Sequence, residues 1–370
     1  MAVTANERLL DEAIHHAIDL QSYSNGVVRR LIALINRVDA DLFTQLQLSL
    51  DQMDAESFTV QRLEGLLISV RSLNRQLYEQ LARELTDELQ GLTGAELAYQ
   101  RQMLQAVLPV QVPLAQVARE QVYAAAMSRP FQGRLLKEWA TGIEADRMAR
   151  IRDSLRMGYI EGKTIAQMVR EIRGTKAQNY ADGIIEIDRR HAESVVRTAI
   201  SHTAGVARDQ YLAANADLVK AITWVATLDN KTSQTCRIRD GKQYSADDKH
   251  KPIGHTLPWL GGPGRAHWNC RSTQVPVLKS WKELGADINA EFTPAQRASM
   301  DGAVPAETTY SEWLNKQSKG RQEEILGPVR AKLLRDGGLK VEQFSNDKGR
   351  FLTLEQLRER NASAFKRAGL

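Results

Sequence analysis

The chain has 370 residues, of which 42% are hydrophobic and 26% charged, and its formal net charge is +5. These values exclude an intrinsically disordered chain and are typical of a globular protein with two or three domains. The two cysteines cannot form a disulfide framework, and no apolar run reaches the ~20 residues needed to span a bilayer. We therefore expect a protein of a reducing compartment without membrane association.

The first 110 residues carry a helical pattern of apolar side chains. From Leu63 onward, apolar residues recur every three or four positions with charged and amide side chains between them. These positions are Leu63, Leu66, Leu67, Val70, Leu73, Leu77, Leu81, Leu85 and Leu89. A similar pattern covers 27–42, and the segment SYSNG, which ends at Gly26, is expected to separate it from a first helix. The pattern predicts a helical bundle or hairpin over residues 1–110, and its Leu-rich stripe also suits contact with a neighbouring subunit.

The middle of the chain is also predicted to be mainly helical. Two prolines in VLPVQVPLAQ (107–116) indicate a linker or domain boundary. Beyond it, apolar periodicity predicts helices over 114–128, from Pro130 onward and over 188–214.

The segment GKT at 162–164 resembles the end of a phosphate-binding loop. That loop needs a glycine where Met157 stands and a strand before it, whereas a helix is predicted there. Thr164 and Gln167 instead have the spacing of a capping box, so we expect them to begin a helix. The glycine of GKT and Gly174 would then lie at helix ends.

The periodicity changes to that of strands at AITWVATLD (221–229) and STQVPVL (272–278). These segments are expected to pair, with about forty residues of loop rich in Gly, Pro, His and Asp inserted between them. A long insertion of this kind is usually functional or cross-linked. Because the two cysteines lie at the inner ends of the loop, the pairing predicts that Cys236 and Cys270 are close in space.

Four side chains of this loop have the chemistry of zinc ligands, namely Cys236, His255, His267 and Cys270. Thiolate sulfur and imidazole nitrogen are the usual ligands of tetrahedral zinc, so these residues predict a closed structural zinc site, with Asp240 as the alternative to His255. A zinc ribbon normally offers Cys-x-x-Cys, however, and Ser233 stands where its other cysteine would be. A buried thiol pair and a disulfide between the two cysteines therefore remain as alternatives.

Hydrolytic chemistry at the same loop is the alternative function. His255, His267 and Asp240 would serve a metal-dependent hydrolase or nuclease, and the closeness of His267 to Asn269 fits part of a His-Asn-His nuclease. That nuclease needs a second His/Asn set on a following helix, which the sequence does not provide.

As a block, the stretches TLDNKTSQTCRIRDGKQY, KPIGHTLPW and GPGRAHWNCRSTQVPV closely resemble the signature of the phage Mu protein F-like minor head proteins, the head morphogenesis family of tailed bacteriophages. The upstream segments GYIEGKTIAQMVREIRG and RTAISHTAGVARDQY and the C-terminal part extend this resemblance over roughly residues 115–360. Many relatives carry Cys-x-x-Cys and Cys-x-Cys in the two half-sites. The matching positions here are Ser233 with Cys236 and Cys270 with Ser272, so two of the four thiols are missing.

The patterns and the resemblance together predict a mainly α protein with a small α+β module. We expect an N-terminal helical region (1–110), a Mu F-like head morphogenesis module (115–285) and a C-terminal helical tail (286–370). The resemblance implies a structural minor capsid protein without enzyme activity, present in the virion and assembled in the host cytoplasm. It implies a position at the portal vertex, partners in the portal protein or the major capsid protein, and a role in head assembly and DNA packaging or delivery.

The inserted loop is also rich in positive charge. Its basic residues are Arg237, Arg239, Lys242, Lys249, Lys251, Arg265 and Arg271. Such a stretch is suited to contact packaged DNA by charge alone, with little sequence preference. A solvated charged loop that touches nothing is the alternative.

Overall fold

The computed structural model describes residues 4–51, 59, 63–65, 67–108, 112–178, 180–280, 282–284 and 296–370. It is mainly α-helical with a small antiparallel sheet, as predicted. It also has a two-stranded hairpin over residues 296–305, within the C-terminal tail that was predicted to be helical. Within these ranges, none of the helices combines the length and the apolar character needed to cross a membrane.

The helices that precede the sheet are α1 (Ala5–Asp51), α2 (Ile68–Val107), α3 (Arg119–Ser128), α4 (Leu136–Ile160), α5 (Ile165–Arg173) and α6 (Glu186–Ala214). The expected break at SYSNG is wrong, because α1 continues through Gly26 without interruption. A single glycine costs a helix only about 1 kcal/mol relative to alanine. The buried Val27 and Leu31 directly after it continue the apolar pattern and outweigh that cost.

Two predicted helix starts lie further along the chain. The helix expected from residue 114 begins at Arg119, and residues 109–111 of the expected linker lie outside the described residues. The helix expected from Pro130 begins at Leu136. The turn between them contains Gln132 and Gly133, both with positive φ, and no right-handed helix continues through such a pair.

The capping box is confirmed at the start of α5. The Thr164 side chain accepts a hydrogen bond from the Gln167 backbone N–H, and the Gln167 side chain accepts one from the Thr164 backbone N–H. Gly174, at φ +89°, caps the C-terminal end of α5, and Gly162, at φ +68°, follows α4. The GKT segment is therefore a helix-to-helix connection.

The predicted pairing of strands is confirmed. The sheet consists of β1 (Val219–Val225), β2 (Gln243–Tyr244), β3 (Pro252–Ile253) and β4 (Thr273–Leu278), in the antiparallel order β3-β2-β1-β4. Thr223 pairs with Val275 and Val225 with Thr273. The inserted loop therefore begins after Val225 and ends before Thr273, and it contains the one-turn helix α7 (Gln234–Arg237) as well as β2 and β3.

The C-terminal part folds around aromatic and leucine side chains. It contains β5 (Gln296–Ser299), β6 (Gly302–Pro305), α8 (Tyr310–Asn315), α9 (Lys319–Leu326), α10 (Pro328–Arg335), α11 (Leu354–Arg360) and α12 (Ala362–Arg367). Buried Trp313, Leu314, Phe344, Leu357 and Phe365 belong to its core.

The chain forms two compact units. The first unit comprises Met1–Gln21, Thr93–Ala126 and Ser201–Leu370, and the second comprises Ser22–Leu92 and Met127–Ile200. These units combine distant segments, whereas the division predicted from the sequence follows chain order, and that division stays a prediction.

Each unit has a core of its own. In the first unit, Leu9 and Ile14 of α1 pack in one cluster with Leu212, Ile222 and Val275. In the second unit, apolar side chains of its helices form a separate core, including Leu46, Val70, Ile151, Leu155 and Met168.

The Leu-rich stripe lies inside the second unit. Leu77, Leu81, Leu85 and Leu89 are all buried. The expectation that these leucines contact a neighbouring subunit is therefore wrong, because the chain itself covers them.

Candidate metal centre

An ion pair joins the start of the inserted loop to its end. After β1, the Asp229 carboxylate accepts hydrogen bonds from the backbone N–H groups of Lys231 (3.0 Å) and Thr232 (2.8 Å). Arg271 donates to both oxygens of the same carboxylate, at 2.5 and 2.9 Å. Burial alone would raise the pKa of Asp229, but the hydrogen bonds and charge of Arg271 outweigh it and lower this pKa. Asp229 is thus held ionised between the two ends of the loop.

Cys236 lies on the one-turn helix α7. Ser233 is the N-cap of this helix, and its hydroxyl oxygen accepts a hydrogen bond from the Cys236 backbone N–H at 3.4 Å. The Cys236 side chain is buried with Trp224 of β1 and Tyr244 of β2 in one apolar cluster, which also includes Cys270. The first cysteine is thus fixed by a helix cap on one side and by the sheet on the other.

The segment GRAHWNCRS forms a tight turn that delivers His267 and Cys270 to the same cluster. Asn269 has a φ of +53°, and the Cys270 backbone N–H donates to the His267 carbonyl oxygen at 3.3 Å. Gly262 comes just before the segment at φ +97°, and a Cβ there would lie 2.6 Å from the Trp259 ring. The backbone at this position therefore requires glycine.

Cys236, His267 and Cys270 form the cluster of potential metal ligands in the described part of the chain, with their ligand atoms all within 4.8 Å of one another. The two Sγ atoms are 3.6 Å apart, and Cys236 Sγ is 3.2 Å from His267 Nε2. The prediction that the cysteines are close in space is confirmed. Both are free thiols, since a disulfide would hold the sulfurs at about 2.05 Å.

The two thiols share a hydrogen bond in an apolar environment. Burial raises the pKa of Cys236, and the hydrogen bond from Cys236 lowers the pKa of Cys270. Each of the two cysteine residues is only 1% exposed. Such an arrangement prevents a substrate from reaching either thiol, but it suits the enclosed ligands of a structural metal ion.

The hydrogen bonds of His267 define its tautomer. Its Nδ1 lies 2.9 Å from the Trp268 carbonyl oxygen, which only accepts hydrogen bonds, so Nδ1 carries the hydrogen. In the neutral imidazole, Nε2 then carries the lone pair, which points towards Cys236 Sγ and the Ser233 hydroxyl (2.7 Å). Histidines that bind metals commonly donate their other ring N–H in this way.

The structure does not bring His255 to this cluster. Its Nε2 lies 2.8 Å from the Gln243 carbonyl oxygen, and its Nδ1 accepts a hydrogen bond from the Leu257 backbone N–H. Both ring nitrogens therefore have backbone partners. Its ring packs edge-on against Tyr244. The antiparallel pairing of β2 and β3 explains this position, because it holds the segment after β3 beside Gln243.

Asp240, the alternative fourth ligand, is also engaged elsewhere. Its carboxylate accepts hydrogen bonds from Arg297 and from the backbone N–H groups of Ala226 (2.7 Å) and Tyr310 (2.6 Å). The sequence interpretation missed Arg297 and Tyr310 as partners, since they lie 57 and 70 residues away and no local motif connects them to Asp240.

Three of the basic residues expected to face DNA are buried. Arg237 and Arg239 are 9% and 0% exposed and donate to backbone carbonyl oxygens, including those of Asn230 and Pro258. The Arg265 side chain is 7% exposed and pairs with Asp209 at 2.5 Å. The expectation that these arginines contact DNA is therefore wrong, because their side chains are buried and paired with other groups of the chain.

The loop and its flanks belong to a region that matches a known family. Residues 149–275 match the family model described as "Phage Mu protein F like protein". Neither the curated proteins nor the solved structures gave a match to the chain. The matched region begins within α4 and ends within β4, so it contains the whole inserted loop and all three residues of the cluster. Over residues 149–275 the chain is therefore similar to the phage Mu protein F-like proteins.

Proposed function

We propose that this chain is a structural minor head protein of a tailed bacteriophage, which resides in the virion near the portal vertex. In this role it takes part in head assembly and in the packaging or delivery of DNA. The observation that carries the proposal is the match of residues 149–275 to the phage Mu protein F-like family, a family of phage head proteins.

The construction of the inserted loop supports a structural role. Buried or half-buried ion pairs hold the loop in place. Asp229 with Arg271 joins its two ends, whereas Arg265 with Asp209 and Asp240 with Arg297 join it to surrounding elements. Ion pairs of this kind fix one conformation when every charge has a partner. A loop held in this way suits a docking module that must keep its shape within a large assembly.

The hydrolase alternative gains no support from the geometry. It requires His255 and His267 at one site, whereas His255 pairs with the Gln243 carbonyl oxygen and His267 points towards the buried thiols. Substrate would also have to reach a cluster whose cysteines are each 1% exposed.

The proposed partners are the portal protein or the major capsid protein, with packaged DNA as a further, non-specific contact. Among the basic residues of the loop, Lys249 and Lys251 are exposed and remain available for such a contact. Contacts made by lysine charge alone weaken as the salt concentration rises.

The proposal can be tested in the phage or prophage that encodes the chain. An early nonsense codon should yield heads that are misassembled or lack DNA, and wild-type protein supplied in trans should restore infectious particles. Complementation with Asp248→Asn, a change at an exposed loop residue, is the matched control and should also restore them. Electron cryomicroscopy without imposed symmetry should locate the added density at the portal vertex.

Two results would contradict this function. Infectious particles formed in normal numbers without the chain would remove the role in head morphogenesis. Metal-dependent DNA cleavage by the purified protein, lost in His267→Ala, would instead favour the hydrolase.

A further inference from the structure

We propose that Cys236, His267 and Cys270 bind a single Zn²⁺ ion, with the Ser233 hydroxyl at the fourth coordination position. This inference does not depend on the proposed function, because it concerns how the inserted loop is held together. It replaces the His255 ligand expected from the sequence with a residue that the structure places beside the cluster.

The distances from Cys236 Sγ to the other two ligand atoms are close to those of a tetrahedral zinc site. With Zn–S near 2.3 Å and Zn–N near 2.0–2.1 Å, a regular tetrahedron separates two sulfurs by about 3.8 Å, and a sulfur from a nitrogen by about 3.5 Å. The Sγ atoms of Cys236 and Cys270 are 3.6 Å apart, and Cys236 Sγ is 3.2 Å from His267 Nε2. Both distances are within a few tenths of an ångström of the tetrahedral values, and all three ligand atoms lie within 4.8 Å of one another.

The hydrogen bonds around the cluster also prepare it for a cation. The Trp268 carbonyl oxygen fixes the hydrogen of His267 on Nδ1, which leaves the Nε2 lone pair directed at Cys236 Sγ. Two thiolates and one Zn²⁺ ion have no net charge, so the bound site suits the apolar surroundings that Trp224 and Tyr244 provide. Without the ion, the same enclosure must hold the thiol protons or an uncompensated thiolate.

Ser233 accounts for the fourth position. Its hydroxyl lies 2.7 Å from His267 Nε2, and the backbone N–H of Cys236 hydrogen-bonds to it from within the same helix turn. A hydroxyl is a weaker zinc ligand than a thiolate, so we expect an affinity below that of a Cys₃His site. Replacing Ser233 by cysteine would create the Cys-x-x-Cys spacing with Cys236 and should strengthen binding.

The consequence of binding would be a metal cross-link between the two ends of the loop. Cys236 follows β1 on α7, whereas His267 and Cys270 precede β4. The ion would thus act beside the ion pair of Asp229 with Arg271, which joins the same two ends.

The test uses the full chain, purified under reducing conditions without chelator. We expect one zinc per chain by elemental analysis. Titration of the metal-free protein with Co²⁺ should give a near-ultraviolet thiolate-to-cobalt charge-transfer band and the intense visible bands of tetrahedral cobalt. Cys270→Ser and His267→Gln should lose these bands, and His255→Gln is the matched control that should keep them.

Ser233→Cys provides a test that misfolding cannot imitate, because it predicts a gain. Competition with a chromophoric chelator should show zinc affinity higher by about tenfold or more, since a thiolate replaces a hydroxyl. The proposal is overturned if folded wild-type protein binds neither Zn²⁺ nor Co²⁺, or if the reduced cysteines close to a disulfide in preference to binding zinc. Loss of the cobalt bands in His255→Gln, or unchanged affinity in Ser233→Cys, would overturn the ligand set.

Discussion

Replacing Asp240 by asparagine removes a carboxylate on which three segments of the first unit converge. The carboxylate accepts hydrogen bonds from the backbone N–H groups of Ala226, directly after β1, and Tyr310, the first residue of α8. Arg297 of β5 donates to both of its oxygens, at 2.7 and 3.0 Å. The substitution keeps the size of the side chain but leaves the Arg297 guanidinium without its counter-charge.

We expect this change to lower the free energy of unfolding by about 3–5 kcal/mol, which is the usual cost of breaking a buried ion pair by removing one partner. The Arg297 and Asp240 side chains are only 5% and 1% exposed, so water cannot replace the lost charge. Four charge-assisted hydrogen bonds at about 1.5–3 kcal/mol each would sum to more, about 6–12 kcal/mol. Asparagine retains one accepting oxygen, however, and contributions within one network do not add.

Urea unfolding followed by tryptophan fluorescence measures the effect, because Trp224 and Trp313 are buried in the same unit. Asp248→Asn, the same substitution at an exposed loop position, is the matched control and should leave the free energy of unfolding unchanged. The double variant Asp240→Asn with Arg297→Met should lose less than the sum of the two single changes, since it removes both charges. A loss below about 1 kcal/mol in Asp240→Asn, or strict additivity in the double variant, would refute the reasoning.

Three further predictions concern other parts of the chain. Gly349→Ala should lower the free energy of unfolding in urea more than Gly254→Ala, although both glycines have positive φ. A Cβ at 349 would lie within 3.0 Å of the α7 backbone, whereas a Cβ at 254 would meet nothing within 4 Å. Equal losses in the two variants would contradict this. Burial alone would raise the pKa of Glu96, but the charge of Arg208 helps to lower it from 4.5 to about 2. The free energy of unfolding of the wild type should therefore exceed that of Glu96→Gln by about 3 kcal/mol above pH 4.5, and this difference should vanish as the pH falls towards 2. A difference that does not change with pH would contradict this. Thr164→Ala should cost about 1 kcal/mol in thermal unfolding, because it removes the helix cap, and Thr164→Ser should restore most of that loss.

Local patterns in the sequence predicted much of the fold. The spacing of Thr164 and Gln167 correctly gave the start of α5, and the change of periodicity at residue 221 correctly gave the pairing of β1 with β4. The closeness of Cys236 and Cys270 followed from that pairing alone. Each of these features depends on neighbouring residues or on one strand pair, so a single sequence contains the required information.

The remaining errors arise where distant partners decide the outcome. His255 was predicted as a ligand from its residue type, but its position depends on the register of β2 with β3, which no short motif specifies. Arg265 was expected on the surface because it is charged, yet it pairs with Asp209, which lies 56 residues away on α6. Burial of a charge depends on a partner that sequence spacing does not identify.

The packing of α1 against the sheet of the first unit limits when this unit can fold. The side-chain oxygen of Asn6 accepts a hydrogen bond from the backbone N–H of Leu278, which lies 272 residues away. Leu9 packs in one core cluster with Ile222 and Val275. During synthesis, the first turns of the chain must therefore wait until β4 has left the ribosome before their core closes. A fragment of residues 149–275 would lack these turns and leave that core open to water. The matched region takes a part of each unit and contains neither of them whole.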